Sequence, residues 1–448
     1  MELIILGGTV LTMGQAGRIR EGAVVVEDDR IVDVGRASEL KAKYRRYERL
    51  VADKCVIMPG LVNAHQHISM GLLRGYADDY PLKEWLEEHI WPLEARMTGH
   101  DMYVGSLLTC AESLLGGVTT VNTMYHYAHP DWNEARAIAD IGMRGVVGHV
   151  CFSWRKEEDR RALEGLVRRW HGAEDGRIRA SVDPHAPYTV DPEYMVELRH
   201  LADELNERYG DRGRITFHIH VAETADEPEK IKEAFGVDVR EGVLAYLDEL
   251  GVLKPDVVAA HCVALTDRDI HVMARRGVKA VHNPVSNMKL ASGICPVVDL
   301  LGAGVVVGLG TDGPCSNNTA DMFETMKFAS LLQKVARMDP TALPASAALK
   351  MATLNGARAL CWDEIGAIEP GKKADIIVVD FKKPHLSPLY SEESHLVYAA
   401  KSSDVRTVLV DGRIVVEDGE LRTMSLEKIM EMAEKAREEL LSRLGEQA

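Results

Sequence analysis

No run of about 18 consecutive apolar residues occurs anywhere in this 448-residue chain, which excludes a helical membrane span on the sequence pattern. The opening stretch Met1–Leu11 (MELIILGGTVL) is apolar, but it is short and lacks the basic flank of a secretory signal. Paired cysteines are missing too: the seven present are odd in number and none sits in a CxxC spacing. That argues against a disulfide framework and for free thiols in a reducing cytoplasm. Positive charge is in deficit, 53 basic against 69 acidic side chains for a formal charge of −16. Such a field repels phosphate backbones, so nucleic-acid binding would need a strong local basic patch. The two candidate patches, Lys41–Arg49 and Arg155–Arg169, are broken by acids or apolar residues at helical spacing and read as solvated helix faces. No internal repeat or low-complexity tract appears.

What remains is a composition of 46% hydrophobic and 27% charged residues, ordinary for a soluble enzyme and long enough for one large domain plus a smaller one. The two ends share a texture. Leu3–Met13 and Ala23–Gly35 read as hairpin material with Glu27–Arg30 at a turn, and Ala374–Phe381 and Val405–Glu420 repeat it, with Asp411-Gly412 as the turn signal. Neither end can bury a core alone, so residues 1–57 and 370–424 are expected to pair into one small composite β-sandwich. Between them, β-branched runs alternate with helical patterns such as Met102–Leu115, Pro192–Tyr209 and Met322–Val335. The expected strands are Cys55–Val62, Val118–Asn122, Arg144–Val150, Arg177–Val182, Ile215–His220, Val257–His261, Val278–His282 and Val305–Leu309. Eight such units across 58–369 suit a closed TIM-type (β/α)8 barrel in an α/β protein. The tail 425–448 patterns as an amphipathic helix, expected to dock on the sandwich or on a partner subunit.

Polar candidates collect at strand ends, where a barrel of this kind builds its active site. His65 and His67 end the first strand, and alternation puts them on one face. Alone, that pair could equally be surface histidines. Strand five closes with His220, followed by Glu223; strand six with His261; strand eight with Asp312. Strand four runs into His185. Three imidazoles and a carboxylate from strands one, five and eight form a nitrogen-rich set suited to zinc or ferrous iron, with His261 left to ligate weakly or to hydrogen-bond a water. His218 shares the inward face of strand five and reads as a support or core residue. His89, His100, His126, His129, His149, His171, His200, His271, His385 and His395 read as ordinary core or surface histidines.

The runs PGLVNAHQH, PHAPYT, HVAET, AAHC, HNPVSNMKLASG, GTDG and NGARAL, in that order, resemble the amidohydrolase superfamily and most closely its methylthioadenosine/S-adenosylhomocysteine deaminase branch. The resemblance covers nearly the whole chain, IGAIEPGKKADIIVVD matching the second segment of the composite β domain. It implies that His65, His67, His220 and Asp312 bind one divalent metal, and that Glu223 and His261 act on the substrate and the attacking water. His185 stands where binuclear relatives carry a lysine, which favours a single ion. The resemblance also makes the loop after strand one a cover for the site. There Trp85 and Glu94, 18 and 27 residues past His67, are expected to contact a nucleoside, with Glu94 accepting from both ribose hydroxyls. His185 is expected to touch the nucleoside, and Arg160, 25 residues before it, matches the position of a substrate-binding arginine. Where some members have a second arginine this chain has His149.

The reading is therefore a metal-dependent hydrolytic deaminase of an adenosine derivative, such as adenosine, 5′-deoxyadenosine, methylthioadenosine or S-adenosylhomocysteine. Asp312 would accept the water's proton, Glu223 would protonate the ring nitrogen beside the attacked carbon, and His261 would steady the developing alkoxide. Relatives suggest a homodimer or homotetramer. The rivals are a guanine or oxidised-guanine deaminase, a triazine-type hydrolase, and, outside enzymes, an inactive barrel serving as a binding subunit. The cytidine-deaminase signature, HxE followed by PCxxC, is absent.

Overall fold

The structure is a computed structural model and describes residues 2–125 and 132–445. Its first five strands are β1 (Glu2–Leu11), β2 (Arg18–Glu27), β3 (Arg30–Arg36), β4 (Glu48–Val51) and β5 (Cys55–Pro59). Eight parallel strands follow in sequence order: β6 (Leu61–Gln66), β7 (Val118–Tyr125), β8 (Arg144–Cys151), β9 (Ile178–Pro184), β10 (Thr216–Val221), β11 (Val257–His261), β12 (Lys279–His282) and β13 (Val307–Leu309). Side chains and loop backbone close the seam between first and last strand. Asn63 Nδ2 donates to Thr311 Oγ1 at 2.7 Å, Thr311 N–H returns to Asn63 Oδ1 at 3.1 Å, and Asp312 N–H reaches His65 O at 3.0 Å. The barrel is thus a packed eight-strand ring with helices outside it.

The remaining strands, β14 (Ile376–Asp380), β15 (Val405–Val410), β16 (Arg413–Glu417) and β17 (Glu420–Leu421), return to the N-terminal ones. The two-part β unit is one continuous nine-stranded mixed sheet, in the order β17-β16-β15-β14-β5-β1-β2-β3 with β4 also on β1. The alternation of β14 shows why the ends need each other. Ile376 and Val378 enter a cluster with Leu3, Ile5, Val24 and Val26 from the N-terminal strands. Ile377 and Val379 point the other way, into the core shared with the barrel helices. Each such burial is worth about 1.5–3 kcal/mol, and neither chain end could supply both faces alone.

Sequence pattern suggests one strand over Cys55–Val62, but there are two. β5 belongs to the mixed sheet and β6 to the barrel, and the chain changes sheets at Gly60, whose N–H donates to Asp375 O at 2.9 Å. A Cβ at Gly60 would lie 2.1 Å from Thr119 Oγ1, so only glycine allows this crossing. A buried ion cluster ties the two units together nearby. Arg144, with no side-chain exposure, donates to Asp375 at 2.6 Å and to Asp411 at 2.7 Å, and its guanidinium lies 5.0 Å from the centroid of the buried Trp362 ring.

The C-terminal helix Leu426–Gly445 docks on the barrel, not on the mixed sheet. Its Ala433 and Ala436 pack on Val104 of the helix Gly99–Leu115, and Leu440 joins Trp85 and Leu93 in a cluster under the loop that follows β6. Arg443 reaches Asp101 at 2.5 Å, and Asp101 also closes a capping box with Thr98 at the start of that barrel helix. Small residues let the two helix backbones approach, which the amphipathic pattern of the tail by itself does not specify. Among the described residues no helix is long and apolar enough to cross a membrane.

Candidate active site

Strand alternation and three strained turns bring the site together at the C-terminal ends of the barrel strands. On β6 and just past it, His65 and His67 share a face; on β10, His218 and His220 do, while Ile219 between them joins the outer core. Three non-glycine residues at the rim adopt left-handed backbone, with φ of 51° at Ala222, 73° at His261 and 64° at Asp312. Such positions cost of order 1–3 kcal/mol each and persist where the surroundings over-determine them. Here they turn Glu223, His261 and Asp312 toward one another at the ends of β10, β11 and β13.

His67 Nδ1 lies 2.7 Å from Met124 O, and His220 Nδ1 lies 2.9 Å from His185 O. A carbonyl can only accept, so both Nδ1 atoms carry the proton and both Nε2 atoms present lone pairs. Those two Nε2 atoms stand 3.3 Å apart, and Asp312 Oδ1 is 3.1 Å from His67 Nε2 and 3.4 Å from His65 Nε2. His65 Nε2 is fully buried without a hydrogen-bond partner, while its Nδ1 meets His218 Nε2 at 2.9 Å. Converging lone pairs around a carboxylate repel one another unless a cation sits among them, so the donor set fits a divalent metal. The ligand atoms of His65, His67 and His220, and those of His65, His261 and Asp312, form two overlapping groups compact enough to hold one.

Electrostatics point the same way. Burial pushes the His65 imidazole down to about 4 and, with neighbouring histidines, drives His220 well below its ordinary range. Burial would also lower His67, but the neighbouring Asp312 carboxylate overcomes it and raises that group. The Asp312 carboxyl is pushed up by burial yet held well below the carboxylate range by His65 and His67, whose ring nitrogens stand beside its Oδ1. Its other oxygen accepts from Ser286 at 2.6 Å and Ser316 at 3.0 Å, which fixes its direction.

Glu223 lies with its Oε1 3.9 Å from His261 Nδ1, and burial raises its carboxyl above the usual range. Its backbone N–H is held by Glu227 at 3.0 Å. His261 is oriented by Asn287 Oδ1, 2.9 Å from its Nδ1. These groups open into one pocket at the mouth of the barrel.

The loop after β6 folds over this pocket. Trp85 lines it, with its indole N–H anchored on Ala77 O at 3.0 Å, and so does Glu94, which is buried and accepts from Tyr125 OH at 2.6 Å. Burial pushes the Glu94 carboxyl up to about 7. His185 forms the opposite wall, its ring centroid 4.8 Å from that of Phe152, and burial lowers it to about 3. Of the residues singled out from sequence, the pocket therefore gathers His67, Trp85, Glu94, His185, His220, Glu223, His261 and Asp312, with His65 directly beneath.

Arg160 does not come with them. It is half exposed on the outer side of the helix Lys156–Trp170 and pairs with Glu164 at 3.1 Å. Asp159 takes the inward position instead, bonding His149 at 2.9 Å and the N–H of Phe152 at 2.8 Å. His126 and His129 lie outside the described residues. Sequence reasoning did not single out Tyr125, Phe152 or Tyr188 as lining residues, nor Asn287, Ser286 and Ser316 as supports. Ser286 and Asn287 sit in the motif HNPVSNMKLASG and Tyr188 in PHAPYT, so a signal for them existed; Tyr125 and Phe152 carried none.

The sequence profile described as the amidohydrolase family matches residues 56–415, and that of an imidazolonepropionase-like composite domain of bacteria matches 22–45. The chain is 46% identical to a 5′-deoxyadenosine deaminase of Methanosarcina mazei over 449 residues, covering 99% of both. It is 45% identical to a 5-methylthioadenosine/S-adenosylhomocysteine deaminase of Syntrophobacter fumaroxidans over 438 residues, covering 96% of both. Among solved structures, an adenosine deaminase from Xanthomonas campestris with bound zinc superposes with a TM-score of 0.91 at 37% identity, covering 98% of this chain and 99% of that one.

Proposed function

Given that this chain belongs to the amidohydrolase family, we propose that it is a metal-dependent hydrolytic deaminase that converts an adenosine derivative to the inosine analogue and ammonia. The observation that carries this reading is the Glu223 carboxyl, raised by burial, sharing one pocket with His261 and Asp312. The similarity to full-length relatives named as deaminases of 5′-deoxyadenosine and methylthioadenosine supports the same reaction.

His65, His67, His220 and Asp312 hold one ion in this proposal, zinc first and ferrous iron as the alternative. When bound, the metal supplies Lewis acidity that lowers the pKa of a water from 15.7 towards about 7. Asp312 accepts the proton of the attacking water, with Ser286 and Ser316 fixing the carboxylate for it. Glu223, whose hold on its proton burial strengthens, donates to N1 of the purine and makes C6 electrophilic. His261, its Nδ1 held by Asn287, hydrogen-bonds the oxygen that adds at C6 and stabilises its developing charge. The proton taken by Asp312 passes to the C6 amino group, the C6–N bond breaks and ammonia departs, while the added oxygen gives its hydrogen to Glu223 as C6 becomes a carbonyl. Glu94 accepts from the ribose hydroxyls with Tyr125 behind it, and Trp85 and His185 flank the nucleoside.

A homo-oligomer in the cytoplasm completes the reading. Leu331 and Val335 on the helix Met322–Arg337 and Met338 at its C-cap are exposed apolar side chains, which supports a subunit contact. Seven free thiols, six of them buried, suit a reducing compartment. The test of the function is ammonia release from zinc-loaded protein given adenosines, guanine and a chlorotriazine. Turnover of the adenosines alone supports the proposal; turnover of guanine or the triazine alone overturns it.

A further inference from the structure

The pocket must hold the part of the substrate that lies beyond the sugar, and its lining is one-sided in charge. Apart from the reacting cluster, most of its wall is apolar: Trp85, Leu86, Trp91, Val150, Phe152 and Leu290. Tyr125, Tyr188 and Ser316 are its neutral polar side chains, and Glu94 adds a carboxyl to those of Glu223 and Asp312. No lysine or arginine lines it among the described residues, and residues 126–131 (HYAHPD) contain neither. The His185 ring is taken up by its neighbours, with Nδ1 2.9 Å from Thr189 Oγ1 and its face against Phe152.

Four cations on segments that flank the pocket are engaged elsewhere. Lys289, beside Leu290, is held by Asp78 at 2.5 Å and by Cys315 O at 3.2 Å. Lys230 packs 5.5 Å from the Tyr188 ring centroid but is paired with Asp226 at 3.0 Å. Arg155 is bound to Glu158 and Asp159, and Arg160 to Glu164. A phosphate or carboxylate brought into this pocket would lose its water shell with no cationic partner, facing carboxyl groups and ring faces. A hydrogen or a thioether at the same place would lose nothing and gain apolar contact.

We propose that this pocket selects adenosines whose 5′ group bears no anionic centre, and discriminates against those that carry one, whether a phosphate or an amino-acid carboxylate. The inference rests on the deaminase reading and narrows its substrate class to 5′-deoxyadenosine and 5′-thioethers without a carboxylate.

The experiment is kcat/KM, from ammonia release by the full-length zinc-loaded protein, for five compounds. They are 5′-deoxyadenosine, 5′-methylthioadenosine, S-adenosylhomocysteine, its decarboxylated amine, and adenosine 5′-monophosphate. The first two and the amine are expected within about tenfold of one another, and the compounds that carry a carboxylate or a phosphate lower by roughly 100-fold or more. S-adenosylhomocysteine or the monophosphate within tenfold of methylthioadenosine would overturn the selectivity while leaving the deaminase reading intact. Silence on all five compounds would overturn both.

Discussion

The Nε2 atoms of His67 and His220 face each other at 3.3 Å while each ring's Nδ1 is committed to a backbone carbonyl, those of Met124 and His185. Two lone pairs are thus aimed at one point beside the Asp312 carboxylate, and a bound cation relieves their repulsion. Chelation should lower the thermal midpoint, and reloading with one equivalent of zinc should restore it. At a free-metal concentration 1,000 times Kd the stabilisation would be about 4 kcal/mol. Metal analysis with calorimetry checks this; an unchanged midpoint with no metal bound after loading would remove the site.

Glu223→Gln keeps the shape of the side chain and removes its proton transfer. Turnover should fall about 10²–10⁴-fold, with metal content unchanged because Glu223 lies outside the two compact donor groups. Activity within tenfold of the parent protein would rule Glu223 out as the acid.

Glu134 tests linkage between burial and pH. Burial pushes its carboxyl up to about 7, against hydrogen bonds from Ser69 and Thr123 that favour the charged form. A folded-state pKa above the unfolded one means the native state binds the extra proton. The associated stability is therefore full below pH about 4.3 and is lost as pH rises through about 7, at up to about 1.4 kcal/mol per pH unit. Glu134→Gln cannot ionise, so its midpoint relative to the parent should be higher at pH 8 than at pH 5. A difference that stays constant across that range would refute the assignment.

Arg144 joins the barrel to the mixed sheet through Asp375 and Asp411. Arg144→Met leaves two buried carboxylates without their partner and should cost about 3–5 kcal/mol. Replacing all three with Met, Asn and Asn should recover part of that loss in denaturant unfolding, since the uncompensated charges go with the arginine. No recovery would mean that packing against Trp362, rather than charge, carries the contact.

Much of the architecture was legible because it is written in local periods. Alternation within β6 and β10 placed His65 with His67 and His218 with His220, and the βα rhythm announced eight barrel strands. The position of Glu223 three residues past His220 marked it for the same rim. Other features answer to contacts far apart in the chain. The break at Gly60 exists because Thr119 passes 2.1 Å from where a Cβ would be. Arg160 points away because Asp159, pairing with His149, claims the inward face of the helix. The C-terminal helix lies on the barrel because Ala433 and Ala436 fit Val104. Composition and periodicity determined the strands, the chemistry of the donor set and the face each donor occupies. Only barrel closure decided which of them meet, because the left-handed turns at Ala222, His261 and Asp312 and the Asn287 bond to His261 are held by neighbours from other strands.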